Sequence, residues 1–242
     1  MLPTLSVPGQ LELCARYRPA ATGVHVGGDR FDAFSRPDGT ITLTVGDVTG
    51  HGLDAAVIMG KLQNALRAYA TEGHGPAATL RLAHELLRGW KSPLFATAVV
   101  AGLDPAAGVL RWASAGHLPM LLDNGAADTR FLECPAAPLL GFPFGFEITE
   151  YETELSPGAS LVLYTDGLVE RRVEPIDAGL DRLAEAVRAA ANLPGEDAGD
   201  LILSHMLGDD EHEDDVCLRL CRWTGPEPAP CFANPEHGKP GV

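Results

Sequence analysis

No stretch of this chain approaches the ~20 uncharged apolar residues that a membrane-crossing helix needs, and the start, MLPTLSVPGQLELCARYRP, carries neither a basic leader with an apolar run nor a cleavage site. A soluble, cytoplasmic protein is expected. Positive charge is scarce too. Lys+Arg 18 against Asp+Glu 33 gives 18 − 33 = −15, a balance that repels phosphate backbones and anionic lipid alike, so neither nucleic acid nor membrane is expected as a partner. A phosphorylated substrate would also be repelled unless local positive charge, such as bound metal, received it. The five cysteines (Cys14, Cys134, Cys217, Cys221, Cys231) form no C-x-x-C pair and have no histidine at zinc-finger spacing, which predicts reduced thiols. Cys217 and Cys221 lie four apart, on one face of a strand, and read as small apolar packing. The G-x-x-x-x-G-K-[ST] of a nucleotide loop and the G-x-S-x-G of a serine hydrolase are both missing.

What is present is an ordinary 45% of hydrophobic residues, arranged in short strands and a few helices. Pro37-Asp38-Gly39 separates two β-rich runs, AFSR and TITLTVGDV, and predicts a hairpin that leaves Asp47 at a strand end. Asp54 is placed to cap a helix with Ile58, Leu62, Leu66 and Tyr69 on one stripe, stopping near Gly73. A second helix is expected from Pro76, with Leu80, Ala83, Leu87 and Trp90 on its stripe. Strands follow at FATAVVAGL, VLRWASAG, MLLD, TRFLE, ITEYETEL and SLVLYTDG, the last ending on Asp166 and Gly167. Two more helices, around Leu180 to Ala190 and Leu201 to Leu207, precede a closing strand, VCLRLCR. Strands, then helices, then strands with tight turns argue for an α+β fold, a layered α-β-β-α sandwich with two central antiparallel sheets flanked by helix pairs. Residues 11–222 are expected to form one domain, and residues 223–242, rich in Pro and Gly and without periodicity, a disordered tail.

Four separated acids stand beside turns or strand ends: Asp29 in VGGDRFDAF, Asp47 in VGDVTGHGLDAA, Asp166 in LYTDGLVE and Asp214 in EDDVCLRL. Brought together without cations they would repel one another and each would be driven to bind a proton. Two divalent cations cancel four carboxylates and can activate water. Taken singly, Asp47 reads equally as an acid in an ordinary strand-to-helix loop, Asp166 reads first as an Asp-Gly turn, Asp214 as part of a solvated acidic run, and Asp29 or Asp32 as the partner of an arginine. His117, after a strand and before Pro119, reads first as satisfying backbone groups in a turn, with a role in orienting metal ligands or substrate as the alternative.

Taken in order, VGGDRFDAF, GDVTGHGLDAA, FATA, SAGHLP, LYTDGLVER and EDDVCLRL resemble the metal-dependent serine/threonine phosphatases of the PPM (type 2C) superfamily, and more closely its bacterial SpoIIE/RsbU-like branch, across nearly all of residues 11–222. The resemblance implies a site for two Mn²⁺ or Mg²⁺ ions at one edge of the sheets. By it, Asp47 is the bridging ligand, the carbonyl of Val48 the adjacent ligand of the second metal, Asp166 and Asp214 complete the first metal, and Asp29 binds the second or a more weakly held ion. Catalysis then rests on Asp47 and Asp166 through metal-activated water. Two departures stand out: Arg30 replaces an aromatic residue, and Thr49 replaces the histidine cast as general acid in eukaryotic members. The acid is left unassigned, with His51 the nearby candidate and a metal-bound water the alternative. The implied substrate is a phosphorylated anti-sigma-factor antagonist, a STAS-domain protein, in partner-switching control. Members often carry a sensor domain; none is expected within these residues, so a partner, a homodimer or metal supply is expected to bring the stimulus. The rival expectations are a phosphatase-fold binding module without turnover and a hydrolase of small phosphate esters.

Overall fold

The computed structural model describes residues 10–18, 30–50, 52–125, 128–135, 137–145, 147–208 and 215–226. Asp29, His51, Asp214 and the expected tail beyond residue 226 lie outside them. In chain order the elements are β1 (Leu11–Arg18), β2 (Arg30–Ser35), β3 (Ile41–Val48), α1 (Leu53–Thr71), α2 (Pro76–Gly89), β4 (Ala96–Asp104), β5 (Val109–Ala115), β6 (Met120–Asp123), β7 (Thr129–Leu132), β8 (Tyr151–Glu154), β9 (Ser160–Tyr164), α3 (Ile176–Ala190), α4 (Gly195–Leu207) and β10 (Val216–Trp223). Two five-stranded antiparallel sheets result, ordered β1-β10-β9-β6-β7 and β2-β3-β4-β5-β8. Three apolar layers hold the sandwich together. Leu43, Val45, Val99, Leu161 and Leu163 fill the space between the sheets. The first sheet's outer face packs on α3 and α4 through Val162, Leu183, Ile202 and Leu218. The second packs on α1 and α2 through Leu62, Leu66, Leu80 and Val100.

Local chemistry explains most element boundaries. In the β2–β3 turn, Gly39 takes φ 87, the Asp38 carboxylate accepts the Thr40 N–H at 3.0 Å, and the Arg36 N–H donates to the Thr40 carbonyl at 2.8 Å. Pro76 opens α2 without a side-chain cap of its own; the Ala77 N–H is taken up by the carboxylate of Glu150 at 3.1 Å. Glu150 thereby leaves the expected ITEYETEL strand, of which only Tyr151–Glu154 pairs in β8. α1 begins on Gly52, with φ 91, and Asp54 sits inside its first turn rather than at the cap, where its charge faces the positive helix end. The buried stripe of α1 uses Met59 and Ala70 beside Leu62 and Leu66, displaced by one residue from the expected Ile58 and Tyr69. At the other end of the chain, Trp223 belongs to β10: it is buried, and its indole N–H donates to the Pro105 carbonyl at 3.2 Å. Gly108 has to be glycine, because at φ 68 a Cβ would stand 2.4 Å from that indole.

Candidate metal centre

Antiparallel pairing sets Asp47 opposite Thr97 and Val48 opposite Ala96. Side chains alternate along a strand, and Ile41, Leu43 and Val45 belong to the inter-sheet core, so Asp47 continues that stripe toward the other sheet with Thr97 beside it. It is half-buried, whereas Val48 is buried on the opposite face among the α1 and α2 side chains. The Thr49 N–H donates to the Phe95 carbonyl at 2.9 Å. That makes residues 49 and 95 a hydrogen-bonded pair, and the alternation of an antiparallel ladder turns the Val48 carbonyl away from β4. The Thr49 hydroxyl completes the strand end: it accepts the Phe95 N–H at 3.0 Å and donates to the Phe95 carbonyl at 3.2 Å.

On the facing sheet, β9 breaks at Thr165, whose hydroxyl accepts the Cys217 N–H at 3.1 Å while its own N–H donates to the Cys217 carbonyl at 3.2 Å. Asp166 then opens a single 3-10 turn, Asp166–Leu168. Its carboxylate accepts the Gly167 N–H at 2.8 Å and its carbonyl accepts the N–H groups of Val169 and Glu170.

The strand ends that carry the two acids are bridged by His117. Gly116 turns the chain out of β5 at φ 64, where a Cβ would stand 2.5 Å from Leu139. The imidazole that follows puts Nδ1 2.9 Å from the Thr97 hydroxyl and Nε2 3.1 Å from the Tyr164 carbonyl. A carbonyl only accepts, so Nε2 carries the proton, and in the neutral ring Nδ1 must accept from Thr97. One ring therefore spans from the neighbour of Asp47 to the residue two before Asp166, placing both acids at the same end of the sandwich. Burial pushes the His117 pKa down to about 4, the Tyr164 hydrogen bond opposing it. Burial also lowers that of His84, whose Nδ1 accepts the Gly141 N–H at 3.1 Å. An unfolded histidine titrates near ~6.5. Below that pH the unfolded chain gains protons that these rings refuse, so stability present above pH ~6.5 is lost as pH falls toward ~4. For His117 the loss is on the order of 3 kcal/mol. Urea unfolding of the metal-free protein between pH 7.5 and 4.5, beside His117→Gln, should show a shallower pH dependence in the variant; parallel curves would contradict it.

Asp32, the other acid of the first motif, is 4% exposed and lies on the helix face of β2, where it accepts the Arg67 Nε–H at 2.7 Å. It is the partner of an arginine. Arg30 starts β2 opposite Gly46, on the side facing away from the inter-sheet core, and is exposed. Asp215 is buried immediately before β10 and accepts the Tyr17 hydroxyl at 2.8 Å. Among the described residues no three His, Cys, Asp or Glu side chains form a metal cage; of the four expected acids only Asp47 and Asp166 are described. The donors that are described fit a hard cation. They are a half-buried carboxylate, a carboxylate at a strand end and a carbonyl turned away from β4, while both nitrogens of His117 are engaged. Thr97 and Tyr164 were not singled out from sequence; the available signal was a lone hydroxyl in the otherwise apolar FATAVV.

Two antiparallel sheets back to back, helix pairs on both outer faces and carboxylates at one end make the PP2C-type phosphatase fold. The chain belongs to the SpoIIE family, described as stage II sporulation protein E, whose sequence pattern matches residues 37–224. Phosphoserine phosphatase RsbU of Bacillus subtilis (strain 168) is 26% identical over 151 residues, covering 62% of this chain and 44% of RsbU. The chain spans less than half the length of the curated relatives it matches. The RsbU and RsbW domains of Rv1364c from Mycobacterium tuberculosis superpose with a TM-score of 0.79 at 32% identity, covering 90% of this chain and 61% of that one. The catalytic domain of the serine/threonine phosphatase PstP, solved with two manganese ions, shares the fold at TM-score 0.62 and 15% identity, over 88% of this chain and 97% of that one.

Proposed function

We propose that this chain is a divalent-cation-dependent protein phosphatase that removes phosphate from serine or threonine of a cytoplasmic regulatory protein, a STAS-domain anti-sigma-factor antagonist. The observation that supports the reading is the placement of Asp47 and Asp166 at the same end of two facing sheets, on strands that His117 bridges. Family membership and the likeness to a phosphoserine phosphatase support it. Asp47, the Val48 carbonyl and Asp166 would hold Mn²⁺ or Mg²⁺, with Asp29 and Asp214 completing the set by resemblance. Bound there, the cations supply charge for the phosphoryl oxygens and lower the pKa of water. The chain's own groups set the frame. Asp47 faces the inter-sheet space rather than the helices, the Asp166 turn presents its carboxylate beyond the end of β9, and the Thr49 hydroxyl, committed to the Phe95 backbone, is withdrawn from proton transfer. His51 remains the candidate acid from sequence. A net charge of −15 makes a cation-free edge hostile to a phosphate.

The test is phosphate release from a phosphorylated STAS-domain protein by the full chain with Mn²⁺. Release should stop on chelation, and the melting temperature should fall with it, because ions that bind only the folded state stabilise it. Binding of the phosphoprotein without release would identify a binding module, and preference for a small phosphate ester would identify the third reading.

A further inference from the structure

The two sheets meet mainly through apolar side chains, and apolar contact is non-directional: it holds layers together without fixing their offset to a fraction of an ångström. Directional ties tie the sandwich at its two ends. At the end away from the acids the Trp223 indole N–H bonds the Pro105 carbonyl at 3.2 Å. At the acid end the tie is His117, which takes the Thr97 hydroxyl on Nδ1 and gives its Nε2 proton to the Tyr164 carbonyl. Both anchor points are themselves fixed. Thr97 is held in the ladder opposite Asp47. Tyr164 donates its hydroxyl to the Pro119 carbonyl at 2.8 Å, so one loop grips it at backbone and side chain, and the next residue, Thr165, is locked to Cys217.

We propose that Thr97 and His117 are positioning residues: the hydrogen-bonded chain Thr97–His117–Tyr164 sets the separation of Asp47 from Asp166 and thereby the affinity of this edge for divalent cations. The inference rests on the cation-dependent phosphatase reading above. Oxygen ligands must approach a small cation within a few tenths of an ångström of its preferred distance, and two carboxylates on different sheets meet that demand only if the sheets keep one offset. An imidazole suits the task because its two nitrogens face opposite ways on a rigid ring, one accepting and one donating. Glutamine reproduces the donor toward Tyr164 but not a rigid acceptor for Thr97. Valine at position 97 keeps the shape of threonine and removes the donor.

Calorimetric titration of the full chain with Mn²⁺ tests this, using Thr97→Val, Thr97→Ser, His117→Gln and the double variant Thr97→Val/His117→Gln. Groups that orient metal ligands change affinity by roughly 10–100-fold when removed. Thr97→Val and His117→Gln should each weaken Mn²⁺ binding by at least about tenfold, and the double variant should lose no more than the worse single one, because both break the same tie. Thr97→Ser, which keeps the hydroxyl, should stay within about twofold of wild type. Melting in chelator reports the fold without the ions, and the near-isosteric Thr97→Val decides the matter if His117→Gln fails to fold. Affinities of Thr97→Val and His117→Gln within twofold of wild type, or losses that simply add in the double variant, would overturn the positioning role while leaving the phosphatase reading intact. A wild-type chain that takes up no Mn²⁺ and releases no phosphate would overturn both.

Discussion

Asp47→Asn and Asp166→Asn should each lower Mn²⁺-dependent phosphate release by at least about three orders of magnitude in kcat/KM, with the metal-free fold intact. Asparagine keeps the size of aspartate and one oxygen, so packing at the strand end and the Asp166–Gly167 contact survive. What goes is a full negative charge on a proposed ligand to a doubly charged ion. Loss of a single preorganised hydrogen-bond donor to a developing oxyanion already costs ~10²–10³ in rate, and a charged metal ligand contributes more than a neutral donor. The two positions should also behave alike although they stand on different sheets, since on the proposed reading each would serve the same ion cluster. Without cations the sign reverses. Carboxylates crowded at one edge repel, so melting in chelator should be unchanged or higher in both variants, while the stabilisation that Mn²⁺ gives the wild type disappears. Paired measurement of kcat/KM and of melting with and without Mn²⁺ separates this from a folding defect. Activity within tenfold of wild type at Asp166→Asn would remove that residue from the site.

The architecture was legible because local rules and the global fold agree over most of the chain. Pro37-Asp38-Gly39, the Pro76 start and the alternation of TITLTVGDV each specify one structure, and each appears. Where the reading slipped, tertiary contacts decided. Met59 and Ala70 won the α1 stripe because small and flexible side chains fit under β3, where a Cβ on Gly46 would stand 3.2 Å from the Met59 methyl. Glu150 left its strand to satisfy the start of α2. The site was legible as a list of acids and no further. Asp29 and Asp32 look alike in VGGDRFDAF, and only the side of β2 on which Asp32 falls, against Arg67, shows that its charge is already neutralised. His117 is separated by 20 residues from one partner and 47 from the other. No periodicity links positions so far apart, because their contact depends on how the sheets stack.

The same substitution at two arginines should change stability in opposite directions. Arg67→Met strands the carboxylate of Asp32, which is 4% exposed and would keep the Ala33 N–H at 2.9 Å but neither guanidinium nitrogen. Removing one partner of a buried ion pair costs about 3–5 kcal/mol; the partial exposure of Arg67 lets water reach the gap and puts the expectation near the lower end, about 3 kcal/mol. Arg219 presents the converse case. It lies on β10 between Cys217 and Cys221, on the face that packs against the other sheet, and is 5% exposed. Among the described residues its Nε and Nη2 have no hydrogen-bond partner. Its charge pulls the Cys221 thiol downward, yet burial wins and pushes that thiol up to about 12. Two buried guanidinium N–H groups left without partners among the described residues are a net cost, and an unbranched apolar side chain of similar length removes them without opening a cavity. Arg219→Met should therefore stabilise the metal-free protein by about 1–3 kcal/mol, raising the urea midpoint, whereas Arg67→Met lowers it. Asp32→Asn added to Arg67→Met should recover part of the loss, because the stranded charge is gone while a hydrogen-bonding group remains. If Arg219→Met instead lowers the midpoint, the guanidinium has an anionic or water partner in solution, and the inter-sheet layer near β10 is wetter than its apolar lining implies.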